Sequence, residues 1–500
     1  MIFGVFFLLS AGFGYWSAYN TENAFPKLLL LFLAILFVLL ISTLNEKERA
    51  IHNTLGIGAI FFSLVFIAVK LQLLSGPILL TANRLAGLSA VLSPFLFSSL
   101  LNTQRTLFRI ALGLGTLLIL TVLVLSGSRG AIASLLIALF IWWVYTKDNS
   151  ITNKIKIPFI ALSVSGLLLV GALCLIFISK IQMTGLNNIP GAASRIELYA
   201  NSAFLLQDFG LLGGGLNSFG GLYSQYILSV PFLLFTYGHN LYIDLLLEQG
   251  VIGLISFLGV FISGFFLLLK HPDINKNIFG ACLASIIVLL MHGLIDDAIY
   301  GDIGSPLLFA APAFAFRIPI ERIEKMQRTG IYSLFLFLAL LIAGFWARPI
   351  SAAFRSNLAS INIAKVQLEN WPTGEWSRYE NSAALEFSEI SLEDLLSKHP
   401  GHSPTLYKLG LINLEKKEFS LAVKRLVVAH QNNPQHPGIK KNLGFAYLWN
   451  NDIDNAKQIL AEVPNAKEEL FAYIWWWEGL NEPELSKNAQ TLYDSADWGE

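Results

Sequence analysis

Long apolar runs alternate with short polar breaks through the first 350 residues of the chain. A helix needs about 20 residues to cross a hydrocarbon core ~30 Å thick. Runs of that kind lie near residues 2–19, 27–43, 55–74, 84–101, 109–126, 130–146, 158–179, 249–269, 277–298, 304–317 and 331–348. About eleven membrane helices are therefore expected, the tenth being the shortest. The runs stop at Ile350. The expected fold is all-α: a polytopic helical membrane domain over residues 1–350, with a large outward loop at 180–248, followed by a soluble α-helical domain over 351–500.

The tail matches itself at an offset of 34 residues. Leu409 and Gly410 align with Leu443 and Gly444, and Ala422 aligns with Ala456. Ala429 and Pro434 stand where a small residue and a breaker are wanted. This resembles the tetratricopeptide helix pair, in which small residues mark the close approach of two antiparallel helices. A third, degenerate unit ending at "SKHPG" precedes the pair. The resemblance leaves open a spacer role and a role in holding a protein partner. Trp475, Trp476 and Trp477 fit either a capping core or a bilayer contact.

Composition supports the membrane assignment, because a chain that is 54% hydrophobic and 14% charged, with mean hydropathy +0.59, exceeds what a water-soluble core hides. Charge then orients the stack. Lys47 and Arg49, Arg105 and Arg109, Lys147, Lys154 and Lys156, Lys270 and Lys276, and Arg317, Arg322, Lys325 and Arg328 fall on one side if every span is real, and basic loops are retained in the cytoplasm. The long loop and the tail then face outward. The net charge of zero divides unevenly, since the tail from Ser351 carries 14 Lys+Arg against 20 Asp+Glu. The first run has neither a basic n-region nor a small-residue cleavage site, so it is expected to remain a helix. Cys174 and Cys282 both fall in expected spans, which argues against a disulfide framework or a thiolate metal site.

Chemistry is expected on the outward face, where three side chains depart from the apolar pattern. Arg129 in "SGSRGAIASLL" opens the sixth span. An arginine there is often a snorkelling anchor, but Ser126, Gly127, Ser128 and Gly130 leave the backbone bare beside a helix amino terminus, a setting that suits an anion. Arg195 in "AASRIELYANSAFLLQDFG" follows Ser194, which with Glu197 reads as a capping box. It is either a solvated arginine on an interfacial helix or a second anion ligand. His239 in "TYGHNLYIDLLLEQGVIGL" stands at a helix start, as a cap, a headgroup contact or a group able to take a hydroxyl proton near neutral pH. In that helix Asp244 and Glu248 share a face. Glu248 is suited to fixing a neighbouring arginine or the backbone, and Gly250 and Gly253 permit a break.

The order "GPILLTANRLAG", "SGSRGAIASLL", "SRIELYANSAFLLQDFGLLGGGLNSF" and "GHNLYIDLLLEQGVIGLISF", across residues 76 to 300, resembles the O-antigen ligase and O-antigen polymerase family of bacterial membrane glycosyltransferases. The resemblance implies transfer of a glycan from undecaprenyl diphosphate to an acceptor hydroxyl at the periplasmic face of the bacterial inner membrane. Arg129 and Arg195 would hold the donor, and His239 would be the essential histidine. Asn83, Arg84, Asn240 and Glu248, from the same motifs, are expected at the substrate. A pyrophosphate leaving group needs its charge neutralised by arginines or a metal. Asp296 and Asp297 are the nearest metal candidate, but adjacent residues point apart on a helix, so they are expected to be structural or to support the residues that meet the substrate, and no metal, cofactor or nucleic-acid partner is expected. The expected acceptor is lipid A core, which would make the chain a ligase. Another lipid-linked glycan would make it a polymerase and a protein hydroxyl a protein O-oligosaccharyltransferase. A lipid-linked sugar transporter is the reading outside the enzymes, and it calls for midplane charges and related halves that the sequence lacks.

Overall fold

The computed structural model describes residues 2–43, 48–73, 82–147, 192–227, 237–269, 275–297, 299–301, 304–317, 348–369, 371, 379–464, 466–496 and 498. All regular structure among them is helical. The apolar runs become α1 (Ile2–Ser17), α2 (Thr21–Thr43), α3 (Glu48–Lys70), α4 (Ala82–Asn102), α5 (Thr106–Ser126), α6 (Arg129–Lys147), α9 (Leu241–Leu269) and α10 (Lys276–His292), with α7 (Ala192–Phe209) and α8 (Phe219–Tyr226) between α6 and α9. By length and composition α2, α3, α4, α5 and α9 each hold a span able to cross a membrane, and α1, α6 and α10 are shorter apolar helices. Leu9, Phe32, Leu114 and Phe140 are exposed on their outer faces, as lipid contact requires. The expected span 158–179 lies outside the described residues, as does the expected span 331–348 except for its last residue.

The expected tenth helix is not continuous. Residues 304–317 form a 3-10 turn (Ser305–Leu307), the short α11 (Ala310–Ala313) and a second 3-10 turn (Phe314–Arg317). Pro306 and Pro312 lack the N–H that a regular helix would use at those positions. The segment packs inside the bundle: Pro312 lies against Gly264 of α9, and Phe314 stacks on Phe95 of α4 at 5.7 Å between centroids. Irregular backbone at membrane depth is tolerated where protein surrounds it, and Phe309, Ala313 and Phe314 are buried.

The tail comprises α12 (Arg348–Gln367), α13 (Tyr379–Lys398), α14 (Ser403–Glu415), α15 (Phe419–Asn432), α16 (Pro437–Trp449), α17 (Ile453–Leu460), α18 (Ala466–Gly479) and α19 (Pro483–Ser495). The 34-residue repeat is a repeat of contacts. A β-carbon on Gly410 would meet Leu426 at 2.6 Å, and one on Gly444 would meet Leu460 at 2.6 Å. Ala422 and Ala456 are fully buried in equivalent places. In the tryptophan run, Trp477 is buried against Trp449, with ring centroids 5.3 Å apart, whereas Trp475 is exposed.

The tail does not hang free of the rest. Leu205, Phe209, Leu222 and Tyr226 of α7 and α8 share one apolar core with Ile361, Tyr407, Leu411 and Ile439 of the tail. A fully buried ion pair joins Lys408 of α14 to Asp208 of α7 at 2.8 Å, with the ammonium 4.0 Å from the centre of the Tyr226 ring.

Candidate functional site

The start of α9 is stitched to the turn after α10. Asn240 caps the helix, its Oδ1 accepting from the backbone N–H groups of Tyr242 (3.0 Å) and Ile243 (3.2 Å). Its amide nitrogen donates to Leu294 O at 3.0 Å, and Leu241 N donates to Gly293 O at 2.8 Å. Gly238 N donates to Asp244 Oδ1 at 2.8 Å. With Asn240 as the cap, His239 has another place. Its backbone is left-handed, at φ 51°, which is uncommon for a side-chain-bearing residue though commoner for His than for most. Tyr199 of α7 fixes it by donating its hydroxyl to His239 O at 2.7 Å.

Around the imidazole the structure gathers four further groups. The Tyr237 ring lies 4.1 Å away between centroids, and the Arg84 guanidinium at the start of α4 covers the other ring, with Cζ 4.3 Å from the Tyr237 centroid. Asp297 sits 3.4 Å from Arg84 Nη2. Asp296 Oδ1 is 4.0 Å from His239 Nδ1 and accepts from the N–H of Asp297 at 2.9 Å. Burial holds His239 below the ordinary imidazole range, against the opposing pull of Asp296. Burial pushes Asp297 up to about 7, with Arg84 opposing it. The neutral imidazole that results can accept a proton.

Arg195 reaches this turn, and the residue after Arg129 lies against it. Arg195, in the first turn of α7, donates from Nη1 to Ile295 O at 3.3 Å. That helix already runs at Ala192, so Ser194 lies inside its first turn and is not the cap that the sequence pattern indicated. Arg129 begins α6 after a left-handed Gly127 at φ 66°, which ends α5. Gly130 touches Ile295, where an added β-carbon would come within 3.1 Å. The Arg129 side chain is exposed and makes no ion pair or hydrogen bond with other described residues. Asn83 precedes Arg84 in the first turn of α4.

Glu248, expected at the substrate, is one partner of a buried ion pair. Its carboxylate is buried against Lys27 of α2, at 2.8 Å from Oε1 and 2.7 Å from Oε2, and Oε1 also accepts from Asn217 N at 3.0 Å. The Lys27 ammonium lies over the Tyr300 ring at 4.1 Å. Two residues on, Gly250 breaks α9 with φ 69° and ψ −173°, a left-handed value that favours glycine.

Sequence reasoning did not single out Lys27, Tyr199 or Tyr237, whereas Asp296 and Asp297 lie beside His239 and Arg84. Lys27 carried a signal, being a cation inside an apolar run that calls for a partner. The tyrosines carried none. Among the described residues no group of three or more His, Cys, Asp or Glu is arranged to hold a metal ion. The turn thus brings together Arg195, Arg84, a half-buried imidazole and a carboxylate beside it.

No curated protein and no solved structure matches the chain. Residues 413–474 match the family model described as tetratricopeptide repeat. Residues 114–258, which include Arg129, Arg195, His239, Asn240 and Glu248, match the model described as O-antigen ligase, so the chain joins an O-antigen ligase region in its membrane part to a tetratricopeptide repeat region in its tail.

Proposed function

We propose that this chain moves a glycan from undecaprenyl diphosphate to an acceptor hydroxyl, and that the acceptor is a sugar of lipid A core. The family match carries a glycan-transfer role in O-antigen assembly. The observation that supports the finer reading is the convergence of Arg195, His239, Arg84, Asp296 and Asp297 on one turn that also abuts the start of α6.

Arg129 and Arg195 hold the diphosphate, whose oxygens suit the planar guanidinium fork. The acceptor hydroxyl attacks the anomeric carbon, a new carbon–oxygen bond forms there, and the bond to the phosphate oxygen breaks. The hydroxyl proton passes to His239 on Nε2, since Nδ1 is buried facing Asp296. Undecaprenyl diphosphate departs with the electron pair, its charge met by the arginines. A single displacement of this kind inverts the anomeric carbon, and the arginines supply the counter-charge that a metal would otherwise supply. Arg84, over the Tyr237 ring beside the imidazole, and Asn83, its neighbour in the sequence, are assigned to the substrate, while Asn240 and Glu248 position the helix that follows the histidine.

The membrane part is taken to end near Ile350 and the tail to be periplasmic. The basic loops favour the opposite side as cytoplasm, and the tail shares an apolar core with α7, α8 and Ile243 and Leu247 near the start of α9. Purified protein in detergent, given lipid-linked donor and lipid A core acceptor, is expected to make a covalent glycoconjugate; no product would refute the reading. In a deletion strain, loss of capped lipid A core supports a ligase, whereas surface chains of single repeat units mean a polymerase.

A further inference from the structure

The tail's polar grip on α7 reaches, through one turn, to the break in the histidine's helix. Asn357 of α12 is 2% exposed. Its Oδ1 accepts from Leu211 N (3.0 Å) and Leu212 N (3.3 Å), and its amide nitrogen donates to Gln207 O at 3.3 Å. Gln207 O is one of the last carbonyls of α7, which a helix leaves without intrahelical partners, and Leu211 and Leu212 follow its end. A residue of the tail supplies them. The adjacent Lys408–Asp208 pair pins the same end.

The turn held this way fills the gap at Gly250. Leu211 O accepts from Val251 N at 3.2 Å, and Gly214 N donates to Leu247 O at 2.6 Å. A β-carbon on Gly250 would fall 2.5 Å from Leu211 O, and one on Gly213 would fall 2.7 Å from Glu248 O. Residues 211–214 therefore stand in for the hydrogen-bonding partners that α9 loses at its break, and they touch both sides of it.

We infer that Asn357 is a positioning residue for the transfer site: by fixing the Leu211–Leu212 turn against the Gly250 break, it sets the first half of α9, which carries Glu248 and follows His239 and the cap Asn240. The tail is then part of the catalytic architecture and not only a surface for partners. This rests on the proposed transfer reading for its kinetic consequence, although the mechanical coupling does not.

Two measurements on the full chain in detergent test it. Asn357→Leu is expected to lower kcat on the order of tenfold to a hundredfold, the scale of a misplaced catalytic group. Donor KM should stay near wild type, because Arg195 is held at the far end of α7. Hydrogen exchange in the same preparation should quicken at Val251 as well as at Leu211 and Leu212. If Asn357→Leu is not monodisperse, Asn357→Ala removes the same hydrogen bonds and is read the same way. Wild-type kcat, or quickening confined to Leu211 and Leu212, overturns the inference. If the wild-type chain makes no glycoconjugate at all, the transfer reading fails while the exchange at Val251 still decides the coupling.

Discussion

Lys27→Met removes the cation that Glu248 faces. The two side chains are 8% and 4% exposed and lie 2.7 Å apart, so solvent screens them little. Breaking a buried pair from one side costs about 3–5 kcal/mol, because a charge is left without compensation. At about 1.4 kcal/mol per power of ten, the unfolding equilibrium shifts by roughly two to three and a half powers of ten. Adding Glu248→Gln removes the stranded charge and keeps an oxygen for Asn217 N, which sits 3.0 Å from Oε1. The double variant should therefore recover most of the loss, at least about 2 kcal/mol on the same scale. Chemical unfolding of the purified chain in mild detergent, followed by tryptophan fluorescence, measures all three proteins. A Lys27→Met variant as stable as wild type, or a double variant no more stable than Lys27→Met, would refute the buried-pair account. If Glu248 instead met the donor, Glu248→Gln would raise donor KM without changing stability.

His239→Ala is expected to lose transfer by a factor on the order of 10² to 10⁴ while still binding donor; His239→Gln, which hydrogen-bonds but does not titrate near neutral pH, should be equally inactive if the proton is transferred, and near-normal single-turnover transfer by the Ala variant would end the catalytic assignment. Arg129→Lys and Arg195→Lys keep charge but lose the two-pronged fork, so each should weaken transfer sharply with membrane insertion unchanged, and full activity in both would remove the diphosphate clamp. His436 packs between Phe204 and Tyr407 and accepts from Ile439 N at 3.2 Å; burial lowers it from 6.5 to about 3. The folded state thus resists a proton that the unfolded state takes, so stability is full above about pH 6.5 and falls by about 1.4 kcal/mol per unit below it. His436→Asn, which can still cap, should flatten that acid slope in unfolding measured from pH 7 to 5, and an unchanged slope would show that another group sets it.

Local patterns carried much of this molecule. Apolar runs of membrane length gave the helices, because burying a whole helix in lipid needs only a continuous run. The 34-residue repeat gave the tail's helix pairs, since Gly410 and Gly444 must be small wherever two helices cross so closely. The Ser-Arg-Gly turn, the break at Gly250 and the histidine at a helix start were legible for the same reason, being short-range features of backbone and charge. What the sequence did not disclose are the pairings across long separations. Lys27 and Glu248 are 221 residues apart, Arg84 and Asp297 are 213 apart, and Asn357 meets a turn 146 residues before it. Nor did hydropathy reveal that residues 304–317 pack as broken turns, because the surrounding bundle and not the segment itself makes irregular backbone tolerable. A buried charge or an unsatisfied N–H announces that it needs a partner; which of many distant candidates becomes that partner is decided only when packing brings one within hydrogen-bonding reach and excludes water from the rest.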